Sequence, residues 1–170
     1  MNRAGQQGGH RYLIALGSNQ RHRRLGAPAQ VLAEAVRRLA MLGKVDAVAP
    51  VFFSAPVGPS QRRYANGAVV LRTPLGPTAL LAALKQLERE FGRRAGGRRW
   101  SARVLDCDII LWSGGNYHDR RLTVPHRLFR TRPFVLQPAI AIAGEWRDSL
   151  TGFTVRQLHA RLTRPRPATR

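Results

Sequence analysis

Hydrophobic and polar positions recur along most of the chain in patterns that predict regular elements. Short apolar runs predict strands at 11–16, 45–54, 66–73 and 104–111. Apolar residues at helical spacing predict helices over 28–42 and 77–91, each with proline in its first turn and glycine just after its end. Beyond these, the pattern predicts a short strand near 122–124, a helical turn near 138–143 and a helix near 155–162.

The first six elements follow the order β-α-β-β-α-β, which predicts a ferredoxin-like core of the α+β class. We expect an antiparallel sheet with helices packed on one face, followed by C-terminal additions. The length of 170 residues and the lack of a linker predict a single domain over 11–162. Polar, Gly-rich residues 1–10 predict a flexible N-terminus, and the alternating Pro and Arg of 163–170 predict a disordered basic tail.

Cysteine and hydropathy patterns bear on the compartment. One cysteine, Cys107, excludes an internal disulfide framework and fits a reducing compartment. The sequence has no apolar run of about 18 residues, the length that a membrane span requires. Its first residues lack the apolar segment of a secretory signal. We therefore expect a cytoplasmic protein with no membrane partner.

The charge is strongly basic, with a formal net charge of +20 from 29 Lys and Arg against 9 Asp and Glu. Such a balance suits nucleic acid, an anionic surface or a polyphosphate ligand. An arginine excess also follows the base composition of a genome, so net charge does not establish binding to DNA or RNA.

Two of the few acidic residues, Asp106 and Asp108, stand one residue apart in the apolar run 104–111. In a strand they would share one face, about 7 Å apart, because side chains alternate and each residue rises about 3.3 Å. Two carboxylates at this spacing repel unless they share cations, and hard oxygen ligands suit Mg²⁺ that also holds phosphates. A pair of solvated acids bridged to nearby arginines remains the alternative. The residues expected to face the core are Leu105, Cys107, Ile109 and Leu111.

Several short motifs precede and follow this pair along the chain. They are A-L-G-S-N at 15–19, P-V-G at 56–58, Y-A-N at 64–66, R-W-S-A-R-V-L-D-C-D-I at 99–109, L-T-V-P-H at 122–126 and R-P-F-V-L at 132–136. On these motifs the chain, from about residue 12 to residue 143, resembles the 6-hydroxymethyl-7,8-dihydropterin pyrophosphokinase family of folate biosynthesis.

The resemblance implies a transferase of the diphosphokinase type, which moves the pyrophosphoryl group of its co-substrate ATP to the pterin hydroxymethyl group and releases AMP. It implies two Mg²⁺ ions held by Asp106 and Asp108. The catalytic group that it implies is Arg93, Arg103, Asp106, Asp108 and Arg132. The implied ATP-binding group is Glu88, Arg93, Trp100, Arg103, Ile109, Arg121, Thr123, His126 and Arg132. The implied pterin-binding group is Val57, Gly58, Tyr64, Asn66, Trp100, Asp106 and Phe134.

These assignments agree with the chemistry of a flat heterocycle, because aromatic rings can stack on its faces and an amide can read its edge. Taken alone, Phe134 could be core, Asn66 a strand-edge residue and His126 a loop residue. Ser101-Ala102 stand where the family usually has Gly-Pro, and the loop 58–64 is short.

Those departures keep open a diverged paralogue with another pterin-like acceptor. A basic ferredoxin-like module that binds RNA is a further alternative, although no predicted strand carries the aromatic string such modules use. We expect a monomer whose partners are small-molecule substrates and not nucleic acid.

Overall fold

A computed structural model of the protein describes residues 9–55, 62–92 and 103–165. Short apolar runs form the strands, and the two predicted proline-started segments form the first two helices. The elements are β1 (His10–Ser18), α1 (Pro28–Leu39), β2 (Lys44–Val48), β3 (Phe52–Ser54), β4 (Tyr64–Thr73), α2 (Pro77–Glu90), β5 (Asp106–Trp112), β6 (Tyr117–His118), β7 (Thr123–Val124), a 3₁₀ turn (Phe129–Thr131), α3 (Pro133–Ala143) and α4 (Val155–Thr163).

The main sheet has the order β2-β4-β1-β5, with antiparallel pairing throughout, and β3 pairs with a second part of β4. This arrangement confirms the predicted ferredoxin-like core. The strand predicted over 45–54 is divided into β2 and β3, with Pro50 between them. Proline has no backbone N–H to donate to a ladder, so pairing stops there and resumes at Phe52.

Each face of the sheet has its own hydrophobic core. On one face α1 and α2 bury Leu32 and Leu84 against β1 and β5, as predicted for the ferredoxin-like helices. On the other face α3 and α4 bury Leu136 and Leu158 against the opposite side of the same strands. The C-terminal additions therefore form a second helical layer, which the β-α-β-β-α-β pattern does not specify.

A bulge in β5 changes which side chains face each core. Leu13 of β1 pairs with Leu111, and the next residue, Ile14, pairs with Ile109, so that Ile110 is an extra residue. Beyond this bulge the alternation of faces is reversed, because two β5 residues oppose one residue of β1. Leu111 packs with the α3/α4 core, and the prediction that it shares a face with Cys107 and Ile109 is wrong.

The C-terminal elements also differ in extent from the prediction. Helix α3 begins at Pro133, five residues before the predicted turn, and Pro138 lies inside it. The predicted turn near 138–143 therefore covers only the second half of this helix. The terminal predictions mostly concern residues 1–8 and 166–170, which lie outside the described residues, although β1 begins at His10 and α4 ends at Thr163. None of the helices in the described ranges is long and apolar enough to cross a membrane.

Candidate active site

A cleft of about 340 Å³ opens on the sheet face that carries α3, beside the first turn of that helix. The strands β1, β3, β4 and β5 contribute to it, together with the segment that connects β7 to α3. Its lining is Ala15, Leu16, Gly17, Ser54, Tyr64, Asn66, Arg103, Asp106, Asp108, His126, Leu128, Arg132, Phe134 and Val135. The structure therefore brings most of the described residues of the predicted site into one cavity.

The carboxylates of Asp106 and Asp108 lie on the cleft side of β5, with side chains 29% and 31% exposed. In the ladder with β1, Gly17 stands opposite Asp106 and Ala15 opposite Asp108. A Cβ atom built on Gly17 would meet no atom within 4 Å. The small residues of β1 therefore leave space beside both carboxylates, which a ligand can enter.

Two arginines and a histidine lie beside the carboxylate pair. Arg103 Nη1 lies 2.7 Å from Asp106 Oδ1, which is a charged hydrogen bond. Arg132 Nη1 and His126 Nε2 each lie 3.9 Å from Asp108 Oδ2. At that distance neither group makes a direct hydrogen bond to Asp108, and the charge of Arg132 attracts the carboxylate electrostatically.

His126 has a defined orientation. Its backbone N–H donates to Ile110 O at 3.0 Å, and its Nδ1 accepts a hydrogen bond from the Leu128 N–H at 3.2 Å. Because Nδ1 is an acceptor, the neutral ring carries its proton on Nε2, the nitrogen nearer Asp108. Burial lowers the pKa of His126, and this effect outweighs the raising effect of the Asp108 charge. The ring therefore presents a neutral N–H donor to the cleft.

The donor set fits Mg²⁺ that is shared with a phosphate ligand. Within the described ranges no cluster of three or more His, Cys, Asp or Glu forms a closed metal site. Magnesium is usually held by one or two carboxylates, with waters and substrate phosphates completing its octahedron. Two cleft carboxylates with open space beside them and arginines nearby meet that requirement.

The other end of the cleft carries the aromatic and amide groups. Tyr64 and Phe134 line it, and Asn66 is 4% exposed. The Asn66 amide nitrogen donates to Ser54 Oγ at 2.8 Å and lies 3.3 Å from Phe52 O and 3.4 Å from Tyr64 O. Two carbonyl oxygens at this position require the nitrogen side of the amide there. These contacts use none of the capacity of Oδ1, which remains as the acceptor for a ligand edge.

Some predicted residues occupy other places. Glu88 is fully buried on α2, where it accepts hydrogen bonds from the Cys107 N–H at 2.8 Å and from Lys85 Nζ at 2.9 Å. It thus holds β5 at the residue between the two aspartates. Ile109 is core, Thr123 belongs to β7 and Arg121 lies two residues before it, and none of the three is among the described residues that line the cleft. The ATP-binding assignments of these four residues stay predictions, and Val57, Gly58, Arg93 and Trp100 lie outside the described residues.

The structure also adds residues that the sequence analysis did not assign. Ser54 contacts the predicted pterin-reading amide because β3 pairs with β4, with Ser54 opposite Tyr64. Asn19 accepts a hydrogen bond from the backbone of Arg103. Asn19 belongs to the A-L-G-S-N motif that contributes to the family resemblance. Its partner, Arg103, can be identified only from the strand order, which places β1 beside β5.

The fold, the site and the sequence together identify the family of this chain. The sheet and cleft define a ferredoxin-like protein with a carboxylate pair, and residues 13–144 match the family model described as 7,8-dihydro-6-hydroxymethylpterin-pyrophosphokinase (HPPK). The chain belongs to this family, which confirms the resemblance found in the sequence.

Curated relatives of this chain are named as pyrophosphokinases of a hydroxymethyldihydropteridine, and the alignments cover most of each protein. The 2-amino-4-hydroxy-6-hydroxymethyldihydropteridine pyrophosphokinase of Pseudomonas aeruginosa is 40% identical over 138 residues, 81% of this chain and 83% of the relative. The protein of that name from Synechocystis is 36% identical over 151 residues, 88% of this chain and 74% of the relative.

Solved structures support the fold. The crystal structure of wild-type Plasmodium falciparum HPPK-DHPS with SDX-DHP is similar with a TM-score of 0.67 at 13% identity. That alignment covers 92% of this chain and 45% of the larger one, so this chain spans less than half of it.

Proposed function

We propose that the protein transfers the pyrophosphoryl group of ATP to the hydroxymethyl group of 6-hydroxymethyl-7,8-dihydropterin. The observation that supports this most directly is one cleft with two carboxylates and cationic groups at one end and two aromatic rings with a buried amide at the other. The two ends match the two substrates of a pyrophosphokinase, a polyphosphate and a flat heterocycle.

At the phosphate end, Asp106 and Asp108 would hold two Mg²⁺ ions. When bound, these ions would neutralise phosphate charge and hold the phosphate oxygens in a reactive arrangement. Arg103 and Arg132 bind phosphate oxygens through their guanidinium groups and stabilise the charge that develops on them. His126 donates a hydrogen bond from its Nε2–H to a phosphate oxygen, and Arg93 adds a further cation.

At the heterocycle end, Tyr64 and Phe134 stack on the pterin faces and exclude water from them. Asn66 offers Oδ1 as an acceptor to a ring N–H, because its amide nitrogen is occupied by Ser54 and two carbonyl groups. Val57, Gly58 and Trp100 take the pterin-side roles that the family resemblance implies. The same proposal covers Glu88, Ile109, Arg121 and Thr123 on the nucleotide side.

The reaction proceeds in one displacement. The pterin hydroxymethyl oxygen bonds to the β-phosphorus of ATP, and the bond from that phosphorus to the α,β-bridging oxygen breaks. AMP leaves with the electron pair of that bond, and the hydroxyl proton passes to solvent. No side chain of the protein becomes covalently modified, so the residues act by binding, orienting and balancing charge.

The experiment that tests the proposal measures AMP formation from ATP and Mg²⁺ with and without the dihydropterin. AMP that requires the pterin, together with one pterin diphosphate per AMP, is the expected result. ATP and pterin binding without AMP would contradict the proposed acceptor and favour a different pterin-like one. Absence of binding to either ligand would contradict the function altogether.

Replacing Ser54 by alanine tests whether Ser54 orients the Asn66 amide that is proposed to hydrogen-bond the edge of the pterin. The Asn66 amide would lose its shortest contact and could rotate, so we expect the KM for the pterin to rise by about tenfold, on the order of one lost hydrogen bond near a buried group. The KM for ATP and the kcat should change by less than about threefold, because the phosphate end is untouched.

Ser54→Thr keeps the hydroxyl and provides the matched control, with a pterin KM near that of the wild type. An unchanged pterin KM in Ser54→Ala, or an equal rise in the KM for ATP, would show that Ser54 does not orient Asn66.

We further propose that residues 11–162 form one pyrophosphokinase domain that acts as a monomer in the cytoplasm. Light scattering with and without ATP tests the oligomeric state. A stable dimer at micromolar concentration would contradict the monomer.

A further inference from the structure

The turn that joins β6 to β7, residues 119–122, is closed by the side chain of its first residue, Asp119. Asp119 Oδ1 accepts hydrogen bonds from the Arg121 N–H and the Leu122 N–H, both at 2.7 Å, and the Asp119 N–H donates to Leu122 O at 2.9 Å. The bonds from Arg121 and Leu122 lower the pKa of Asp119, so the acceptor is a charged carboxylate at neutral pH. Three hydrogen bonds within four residues fix the backbone of the turn.

The other carboxylate oxygen of Asp119 connects this turn to the core of the protein. Asp119 Oδ2 accepts from the Tyr117 hydroxyl at 3.0 Å and lies 3.4 Å from Thr78 Oγ1, and the two hydroxyl oxygens are 2.5 Å apart. Thr78 belongs to the first turn of α2, and the Tyr117 ring packs edge-on against Trp112 at the end of β5. The turn is therefore held by its own hydrogen bonds and also by contacts with α2 and β6.

The strand that follows the turn leads directly to the cleft. β7 pairs with β6, and His118 Nδ1 lies 3.0 Å from Oγ1 of the opposite residue, Thr123. Two residues after β7 comes His126, whose N–H donates to Ile110 O and whose Nε2 lies 3.9 Å from Asp108 Oδ2. A displacement of the turn would therefore move the segment that begins at the turn and ends beside the carboxylate pair.

We propose that Asp119 is a positioning residue for the nucleotide, which holds Arg121 and Thr123 in place relative to the phosphate end of the cleft. This inference rests on the proposed function, which assigns both residues to the nucleotide side. The two oxygens of Asp119 contact the turn and two hydroxyl groups, so Asp119 acts through the backbone and not by contact with ATP. Its effect should be confined to the nucleotide, because Tyr64 and Phe134 of the heterocycle end lie on other elements.

Two replacements of Asp119 that remove the same charge provide the test. Alanine removes the acceptor of the Arg121 N–H and the Leu122 N–H, so the exchange rates of both N–H groups should rise. The KM for ATP should increase by about tenfold, the scale of one or two lost hydrogen bonds. Asparagine keeps an acceptor oxygen for the turn, and its amide nitrogen can donate to the hydroxyl oxygens of Tyr117 and Thr78. The KM for ATP in Asp119→Asn should therefore equal the wild-type value or fall below it.

Charge and position predict opposite results for these variants. If Asp119 acted by its charge alone, removing it near a polyphosphate would strengthen ATP binding, and both variants would have a lower KM for ATP. A positioning role predicts a higher KM for ATP in Asp119→Ala only, with kcat and the pterin KM within about threefold of the wild type. Asp46→Ala is the matched control, because it removes the same charge from β2, beside Lys44 and Arg72, and should leave both KM values within about twofold.

Tyr117→Phe provides a further variant, which keeps the ring against Trp112 and removes the hydroxyl that contacts Asp119 Oδ2. We expect the KM for ATP to rise by about threefold, because the contacts within the turn remain. If Asp119→Ala does not fold, a wild-type KM for ATP in Tyr117→Phe overturns the proposal.

Three other results would overturn the role of Asp119. They are unchanged exchange rates in the turn of Asp119→Ala, an equal rise in the pterin KM, and an Asp119→Asn variant as impaired as Asp119→Ala. A wild-type protein that forms no AMP would contradict the proposed function instead. The exchange rates at Arg121 and Leu122 and the Kd for ATP with Mg²⁺ need no turnover, and they would then decide whether Asp119 holds the turn for the nucleotide.

Discussion

Replacing Asp108 by asparagine should lower pterin-dependent AMP formation by on the order of 1,000-fold, since this removes a charged group that is proposed to hold the metal ions which balance the phosphates. Asp106→Asn should have a similar effect. Each variant keeps the size of the side chain, so the fold should be retained. The measurement is kcat at saturating ATP, pterin and Mg²⁺.

The loss of charge also affects the neighbouring guanidinium. Without a negative Asp108, Arg132 would face the cleft with one counter-charge fewer, because its Nη1 lies 3.9 Å from Asp108 Oδ2. Metal-free ATP could then bind as well as before or better, while the Mg²⁺ dependence of ATP binding should weaken. Titration of ATP with and without Mg²⁺ therefore separates loss of the metal site from loss of the phosphate site.

Asp46→Asn is the matched control for this experiment. Asp46 lies on β2, the strand at the edge of the sheet opposite β5, where Arg11, Lys44 and Arg72 surround it. Its replacement should leave kcat within about twofold and cost about 1 kcal/mol of stability, the upper end for surface ion pairs, since Asp46 is 14% exposed but its partners are 43% exposed or more. An Asp108→Asn variant as active as Asp46→Asn would contradict the metal assignment.

The carboxylate pair could be predicted from sequence because it depends on local geometry. A strand places residues i and i+2 on one face, and Asp106 and Asp108 lie together in the cleft as that rule requires. The bulge at Ile110 lies beyond the pair, so it changes the side of Leu111 without changing theirs. The residue types in the run 104–111 do not predict that bulge, because it arises from the pairing of β5 with β1.

The contacts that connect the site could not be predicted in the same way. Ser54 and Asn66 are 12 positions apart and meet through the β3–β4 register, and Asn19 and Arg103 are 84 positions apart. Such pairs depend on strand order and register, which the hydrophobic pattern leaves undetermined. The family resemblance supplies roles for matched residues, but it does not supply these partners.

The second large effect is expected at the ion pair that anchors one wall of the cleft. Arg130 lies between His126 and Arg132, which both line the cleft. Its Nε and Nη2 donate to the two carboxylate oxygens of Asp148 at 2.7 and 2.6 Å. Asp148 is fully buried and lies beyond residue 144, where the match to the family model ends. The C-terminal additions therefore support the wall that carries two proposed phosphate-binding groups.

Replacing Arg130 by methionine should lower the free energy of unfolding by about 3 kcal/mol, because it leaves a buried carboxylate without its charged partner. This value is at the lower end of the range for removing one partner of a buried ion pair, because Arg130 is 23% exposed. Urea denaturation at pH 7 provides the measurement. Arg156→Met is the matched control, because its pair with Glu145 is 60% and 77% exposed and should contribute less than about 0.5 kcal/mol.

The difference in free energy of unfolding between the wild type and Arg130→Met should depend on pH, and this dependence tests whether the charge of Asp148 causes the lost stability. Burial alone would raise the pKa of Asp148, but hydrogen bonds from Arg130, Thr151 and the Leu150 N–H outweigh it and hold the pKa below its usual value. In the wild type the resulting stabilisation is complete above the pKa of an unfolded aspartate, about 3.9, and is lost as pH falls through the lower folded pKa.

In Arg130→Met, burial acts with less opposition, so the pKa of Asp148 should move above that of the unfolded chain. The variant is then destabilised mainly above this raised pKa, where the buried group must stay charged, and it recovers as the carboxyl group is protonated. Both effects reduce the difference between wild type and variant as pH falls from 7 to 3. A difference that stays constant over this range would show that the lost stability comes from the packing of the arginine side chain and not from its charge.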